Sequence, residues 1–212
     1  QSDRSGDEKH QDFWEHAHQK SGHSPVGGYL TYDYPVALAQ ARFAGEWGQV
    51  EGWIEKLGLT RGHCLDVGCG DGTWLERFAK SFEAVHGMDI SQDAVNKIAA
   101  RAQENAQSHI SVHCGSLLNH EPEVSYDLIF VGGVLMYLDD DELSGALEKI
   151  RSWLKPNGVL ILRESVHRGQ TWYRNSPLSP GLFAPEDAPP PPYPTVYRPP
   201  QIVIGKKRIF PV

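Results

Sequence analysis

After Leu59 the chain settles into an alternation that few folds accommodate. Short β-rich runs (HCLDVG, AVHGMDI, ISVHC, YDLIFVGGVL and GVLILRES) are separated by the amphipathic stretches TWLERFAKSF, SQDAVNKIAARAQENA and DDDELSGALEKIRSWL. Strand, helix, strand in repetition builds a parallel sheet with right-handed crossovers and helices on both faces. The continuous apolar character of YDLIFVGGVL suits a strand covered on both sides. Ser91 and the Asp139–Asp141 cluster offer side-chain oxygens to the first amides of two helices, and KPNG at Lys155–Gly158 stops the last one. The expected fold class is α/β, a three-layer sandwich on a mostly parallel sheet.

The ends differ in texture. Residues 1–12, QSDRSGDEKHQD, are polar and aperiodic, and are expected to be loosely attached. From Phe13 the chain turns aromatic-rich and is broken by Pro25, Gly27 and Gly28. Between Val36 and Leu57 apolar residues recur at helical spacing (Leu38, Ala41, Phe43, Ala44, Trp47, Val50, Trp53, Ile54, Leu57), so one long helix should cover a face of the sheet. Proline is dense from Pro177 to Pro200, and APPPPYP at Ala188–Pro194 favours extended polyproline II; QIVIGKKRIF then reads as a strand at a sheet edge. The division is a leader and N-terminal helical cap at 1–59, a core at 60–166, and a proline-rich loop with a final edge strand at 167–212.

Bulk properties narrow the function classes. A chain of 212 residues suits one sizeable α/β core. A formal charge of -7 argues against a surface that wraps nucleic acid. No run approaches the roughly 20 apolar residues of a membrane span, and no charged-then-apolar signal opens the sequence, so a cytoplasmic, non-membrane protein is expected. The three cysteines form no C-x-x-C pair and the ten histidines no H-E-x-x-H, which leaves reduced thiols and no metal as the reading.

The most informative stretch is LDVGCGDGTW, Leu65–Trp74, where a β-rich run passes through Gly68, Gly70 and Gly72 into a helix. Such a turn aims backbone N–H groups and the positive helix end at whatever lies above the sheet. A P-loop would need Lys-Ser or Lys-Thr after the last glycine, where Thr73 and Trp74 stand. A dinucleotide fingerprint starting at Gly68 would need glycine at position 73. What remains is a pair of acids. Asp89, at the end of the next strand and about 20 residues on, can accept both hydroxyls of a ribose; Asp66 can reach the ammonium of an amino-acid moiety. S-adenosylmethionine carries both.

LDVGCGDG, GMDIS, YDLIFVGGVLMYL and LKPNGVLILRES, in that order, resemble the motifs of the class I S-adenosylmethionine-dependent methyltransferases over Leu65–Ser165. The resemblance implies a Rossmann-like core. It implies that Gly68, Cys69 and Gly70 line the methionine portion, Asp89 and Ile90 the ribose and adenine, and Ser116 and Leu117 the adenine edge. Val131 and Gly132, with Gly133, would floor the pocket beside the methyl group. The segment before the first strand would form a lid, placing Tyr29, Tyr32, Tyr34 and Arg42 over the site; Tyr32 or Arg42 would bind the methionine carboxylate. RESV and the later YPTVYRPP are also similar to landmarks of phosphobase and some protein N-terminal methyltransferases. That similarity implies that Tyr197 and Arg198 face an anionic acceptor group; Tyr29 and Tyr137 are the further candidates for holding the acceptor.

Transfer of a methyl group from sulfur needs alignment, exclusion of water and a deprotonated nucleophile. Glu164 and His167, where the fifth β-run empties over the pocket, are the candidate bases; the competing role for Glu164 is an ion pair with Arg163 or Arg168. The function expected is methyl transfer to oxygen or nitrogen of a small-molecule acceptor. Two rivals stand beside it: transfer to a peptide N-terminal amine, and a non-catalytic cofactor-binding scaffold.

Overall fold

The computed structural model describes residues 11–15, 18, 36–164, 172–174 and 195–197. Five strands form one parallel sheet: β1 (His63–Val67), β2 (Ala84–Asp89), β3 (Ile110–Cys114), β4 (Tyr126–Gly132) and β5 (Leu154–Arg163), in the order β3-β2-β1-β4-β5. The order reverses at β1, so the connections leaving β1 and β4 diverge and open a crevice above the carboxyl ends of the strands. The glycine turn leaves β1 at that crevice.

Among the described residues, the sheet is covered by α1 (Val36–Lys56), α2 (Thr73–Phe78), α3 (Gln92–Glu104) and α4 (Asp140–Trp153). The core has one apolar cluster on each face. On one face Phe43, Trp47, Val50 and Ile54 of α1 meet Trp74, Leu75 and Phe78 of α2, Ile98 of α3 and Phe130 of β4. Trp74 stacks on Phe130 with centroids 4.6 Å apart, and Phe43 meets Trp74 edge-on at 5.0 Å. On the other face Leu143, Ala146, Ile150 and Trp153 of α4 pack on Leu65, Val67, Met88, Ile129 and Val131. The long helix thus buries a narrower stripe than its sequence suggests: Ala41 and Ala44 face solvent, and Leu57 is 40% exposed just past the helix end.

Local chemistry sets the boundaries. Ser91 caps α3 by accepting the Ala94 amide, and Asp139 caps α4 through a reciprocal pair of bonds with Glu142. The KPNG turn lies inside β5 instead of before it. Leu154 already pairs with Tyr126, and the register then shifts so that Leu128 meets Val159, leaving Pro156 and Asn157 exposed in the irregularity. β4 ends at Gly132, short of the expected run, and a 3-10 turn follows at Leu135–Tyr137.

In the tail, β6 (Trp172–Arg174) and β7 (Thr195–Tyr197) pair antiparallel as a separate two-stranded sheet. The backbone of β7 passes beside the 3-10 turn. The QIVIGKKRIF run and the APPPPYP segment lie outside the described residues. Among those described, no helix is long and apolar enough to cross a membrane.

Phe78 has no exposed surface and touches Trp47, Phe82 and Phe130. Phe78→Ala should therefore cost about 3–5 kcal/mol in urea unfolding. A loss below about 1 kcal/mol would contradict this packing.

Candidate active site

The turn after β1 is left-handed at each glycine, with φ of 71° at Gly68, 51° at Gly70 and 83° at Gly72. A side chain is barred at Gly68 for a second reason: a Cβ there would lie 2.2 Å from Val134 Cγ2 of the β4 connection. The turn is fixed from the neighbouring strand. The Gly68 and Cys69 amides donate to the Met88 carbonyl at 2.8 and 3.0 Å, and the Gly70 amide to Asp89 Oδ2 at 2.9 Å. Asp89 Oδ1 accepts the Ser91 amide at 2.9 Å. Each carboxylate oxygen keeps a second lone pair, and the residue is 8% exposed.

Two further acids stand close to Asp89. Asp66 is 1% exposed, and burial, followed by the charges of Asp89 and Asp71, raises its carboxyl well above the ordinary range against the pull of the Leu75 amide. Asp71 Oδ1 takes the amide and hydroxyl of Thr73 at 3.1 and 2.8 Å, opening α2. The second oxygens of Asp66 and Asp71 are both buried without a hydrogen-bond partner. Buried carboxyl oxygens left unpartnered around one turn suit a ligand that brings hydrogen-bond donors, and an ammonium would favour the ionised form of Asp66.

At the far side of the crevice, Glu164 holds a turn of the β4 connection. Its Oε1 accepts the amides of Val134 and Leu135 at 2.9 and 3.1 Å, holding the start of the 3-10 turn, while Oε2 is buried and unpartnered. Burial pushes this carboxyl up to about 7, against the amides of Leu135, Val134 and Met136 and the charge of Arg163. The Arg163 side chain goes instead to Glu46 of α1, with Nε 2.8 Å from Oε2.

The other candidate residues fall into four groups. Ile90, Ser116, Gly132 and Tyr137 are part-exposed at or beyond strand ends; Ser116 Oγ accepts the Leu118 amide, and Leu117 is 5% exposed. Val131 and Cys69 are side chains of the two core clusters, 0% and 5% exposed, so they offer the crevice backbone alone. Alternation along β4 turns Val131 inward. Arg42 pairs with Glu46 at 2.8 Å. Tyr29, Tyr32, Tyr34, His167 and Arg198 lie outside the described residues, and Tyr197 is described only as backbone in β7.

Two residues not foreseen reach this end of the sheet. Ser91 Oγ donates to Glu15 Oε2 at 2.8 Å, and Trp14 meets Tyr137 edge-on with centroids 5.1 Å apart. Their sequence trace is an aromatic and an acid at the start of the aromatic-rich stretch that follows the polar leader.

Residues 65–160 match the family model described as a methyltransferase domain. Over 104 residues, 48% of this chain, the sequence is 31% identical to Phosphoethanolamine N-methyltransferase 1 of Triticum aestivum, covering 21% of it. A stretch of 104 residues is 29% identical to N-terminal Xaa-Pro-Lys N-methyltransferase 1-A of Xenopus laevis, 46% of whose length is covered. The chain thus spans less than half the length of these curated relatives. It superposes on DhpI in the DhpI-SAM-HEP complex with a TM-score of 0.65 at 16% identity, covering 94% of this chain and 87% of that one. It also superposes on Phosphoethanolamine N-methyltransferase 1 of Haemonchus contortus, in complex with phosphoethanolamine and S-adenosylhomocysteine, with a TM-score of 0.64 at 21% identity, covering 91% and 38%. Both superpositions are likenesses of fold.

A carboxyl whose folded value of about 7 exceeds its ordinary 4.5 keeps its proton longer in the folded state. Its contribution to stability is full below pH 4.5 and is lost as pH rises through about 7. The melting temperature of Glu164→Gln should therefore gain on that of the wild type across this interval in thermal melts from pH 4 to 8. A difference that moves the other way would contradict the assignment.

Proposed function

We propose that this chain, whose residues 65–160 match a methyltransferase domain, transfers a methyl group from S-adenosylmethionine to nitrogen or oxygen of a small-molecule acceptor. The observation that carries the reading is the Asp89 carboxylate, bonded by the amides of Gly70 and Ser91, with the unpartnered oxygens of Asp66 and Asp71 beside it. Asp89 would take the ribose hydroxyls and Asp66 the cationic amino-acid end. The backbone of Gly68, Cys69 and Gly70 would lie under the methionine portion, with Ile90, Ser116 and Leu117 at the adenine.

When bound, S-adenosylmethionine supplies an activated methyl group on a positively charged sulfur. The chain's own part is to orient, to exclude water and to move a proton. Gly132 and the left-handed Gly133, whose amide donates to the Arg163 carbonyl at 2.9 Å, form the strand-end floor. Glu164 holds the next turn with Oε1, and its unpartnered Oε2 is the group suited to take a proton from an acceptor amine or hydroxyl at neutral pH. His167 is the second candidate for that role, and Tyr137, Tyr197 and Arg198 are candidates for holding the acceptor.

A small-molecule acceptor is favoured over nucleic acid by the formal charge of -7. Among the relatives, the wheat enzyme is named for phosphoethanolamine and one from Papaver bracteatum for (S)-tetrahydroprotoberberine. The Xenopus relative, named for a protein N-terminus, supports the peptide-amine reading.

Asp89→Ala should weaken S-adenosylhomocysteine binding at least about 100-fold in isothermal titration, since a site built around a carboxylate would lose both hydroxyl contacts. Undiminished affinity in a folded variant would move the nucleoside elsewhere. Binding by the wild type without turnover on any small amine, hydroxyl or peptide would favour the scaffold.

A further inference from the structure

The segment carrying residues 11–15 and 18 is held to the body of the protein at four points. Glu15 docks on the amino end of α3: Oε2 accepts the Ser91 hydroxyl at 2.8 Å, and both carboxylate oxygens lie 3.2 Å from the Asp93 amide. One turn further along, Lys97 Nζ donates to the His18 carbonyl at 2.9 Å, and His18 is 8% exposed. On the other side Trp14 meets Tyr137 of the 3-10 turn, with Phe13 edge-on to Trp14 at 5.1 Å.

Topology gives these contacts a meaning. Ser91 and α3 follow β2, whereas Tyr137 follows β4, and β1 lies between β2 and β4 in the sheet. A segment anchored after β2 and touching the connection after β4 crosses the carboxyl end of β1, which is the glycine turn. Ser91 also joins the segment to the site directly: its amide is on Asp89 Oδ1 and its hydroxyl on Glu15 Oε2. Two carboxylates therefore hang on one serine. The second is held there by the Asp93 amide and the positive end of α3, although Ser91 already caps that helix through Ala94.

We propose that Glu15 is a positioning residue for the cofactor: it fastens the amino-terminal segment as a strap from α3 to Tyr137, so that Trp14 closes the crevice over the glycine turn. The proposal rests on the reading that this turn binds S-adenosylmethionine. The strap slows cofactor exchange and excludes water without touching the transferring atoms.

Stopped-flow exchange of S-adenosylhomocysteine, with thermal melts in parallel, tests it on Glu15→Ala, Glu15→Gln, Trp14→Ala and the Glu15→Ala/Trp14→Ala double variant. Glu15→Ala and Trp14→Ala should each raise the dissociation rate about 10-fold or more. Glu15→Gln, which keeps an acceptor oxygen for Ser91, should recover part of the loss, and the double variant should be no faster than the faster single one. A wild-type dissociation rate in Glu15→Ala, even with a lowered melting temperature, would reduce Glu15 to a helix cap and overturn the proposal. So would rates that multiply in the double variant, since the two residues would then act separately. A wild type that binds no S-adenosylhomocysteine would bring down the cofactor reading itself, an outcome distinct from either of these.

Discussion

Asp89 accepts the Gly70 amide on one oxygen and the Ser91 amide on the other, and these two bonds join the parts from which the site is made. The first holds the turn after β1 to the end of β2. The second fixes the entry into α3, whose capping serine also receives Glu15 from the amino-terminal segment. The left-handed turn can be held this way because glycine stands at each position with positive φ. Without the carboxylate, the turn amides and the helix start would lose their common acceptor.

The opposite lip of the crevice is built by another carboxylate in a comparable manner. Glu164 gathers the amides of Val134 and Leu135, and Val134 in turn lies against the space that a side chain at Gly68 would need. The two lips are therefore packed against each other through residues that do no chemistry. Behind them, aromatic packing of α1 and α2 on one face and the α4 stripe on the other hold the strand ends in place. Rigid elements beneath and exposed connections above suit a site in which alignment does most of the catalytic work.

Much of this was legible in the sequence because it is written locally. The alternation of runs fixes the parallel sheet, the spacing of Gly68, Gly70 and Gly72 excludes two nucleotide turns, and Ser91 and Asp139 mark helix starts. Where the reading failed, a longer-range contact decided. The competing role of Glu164, an ion pair with Arg163, is displaced at the end of β5: Arg163 goes to Glu46 and Glu164 to the β4 connection. Glu15 and Ser91 are 76 residues apart, and no period in the chain announces their bond. β6 and β7 have three residues each, too few for alternation to register, and β7 sits among prolines. Ala41 and Ala44 fit the helical stripe in type but face water, since small apolar residues at a helix edge cost little when exposed.

The central claim is that the crevice above β1 and β2 is a nucleoside site organised by Asp89. A crystal structure of the protein grown with S-adenosylhomocysteine addresses it most directly. The account predicts the nucleoside over Gly68–Gly70, with ribose hydroxyls on Asp89 and the amino-acid end toward Asp66. A ligand bound elsewhere, or one over the turn with Asp89 left holding only its two amides, would contradict it.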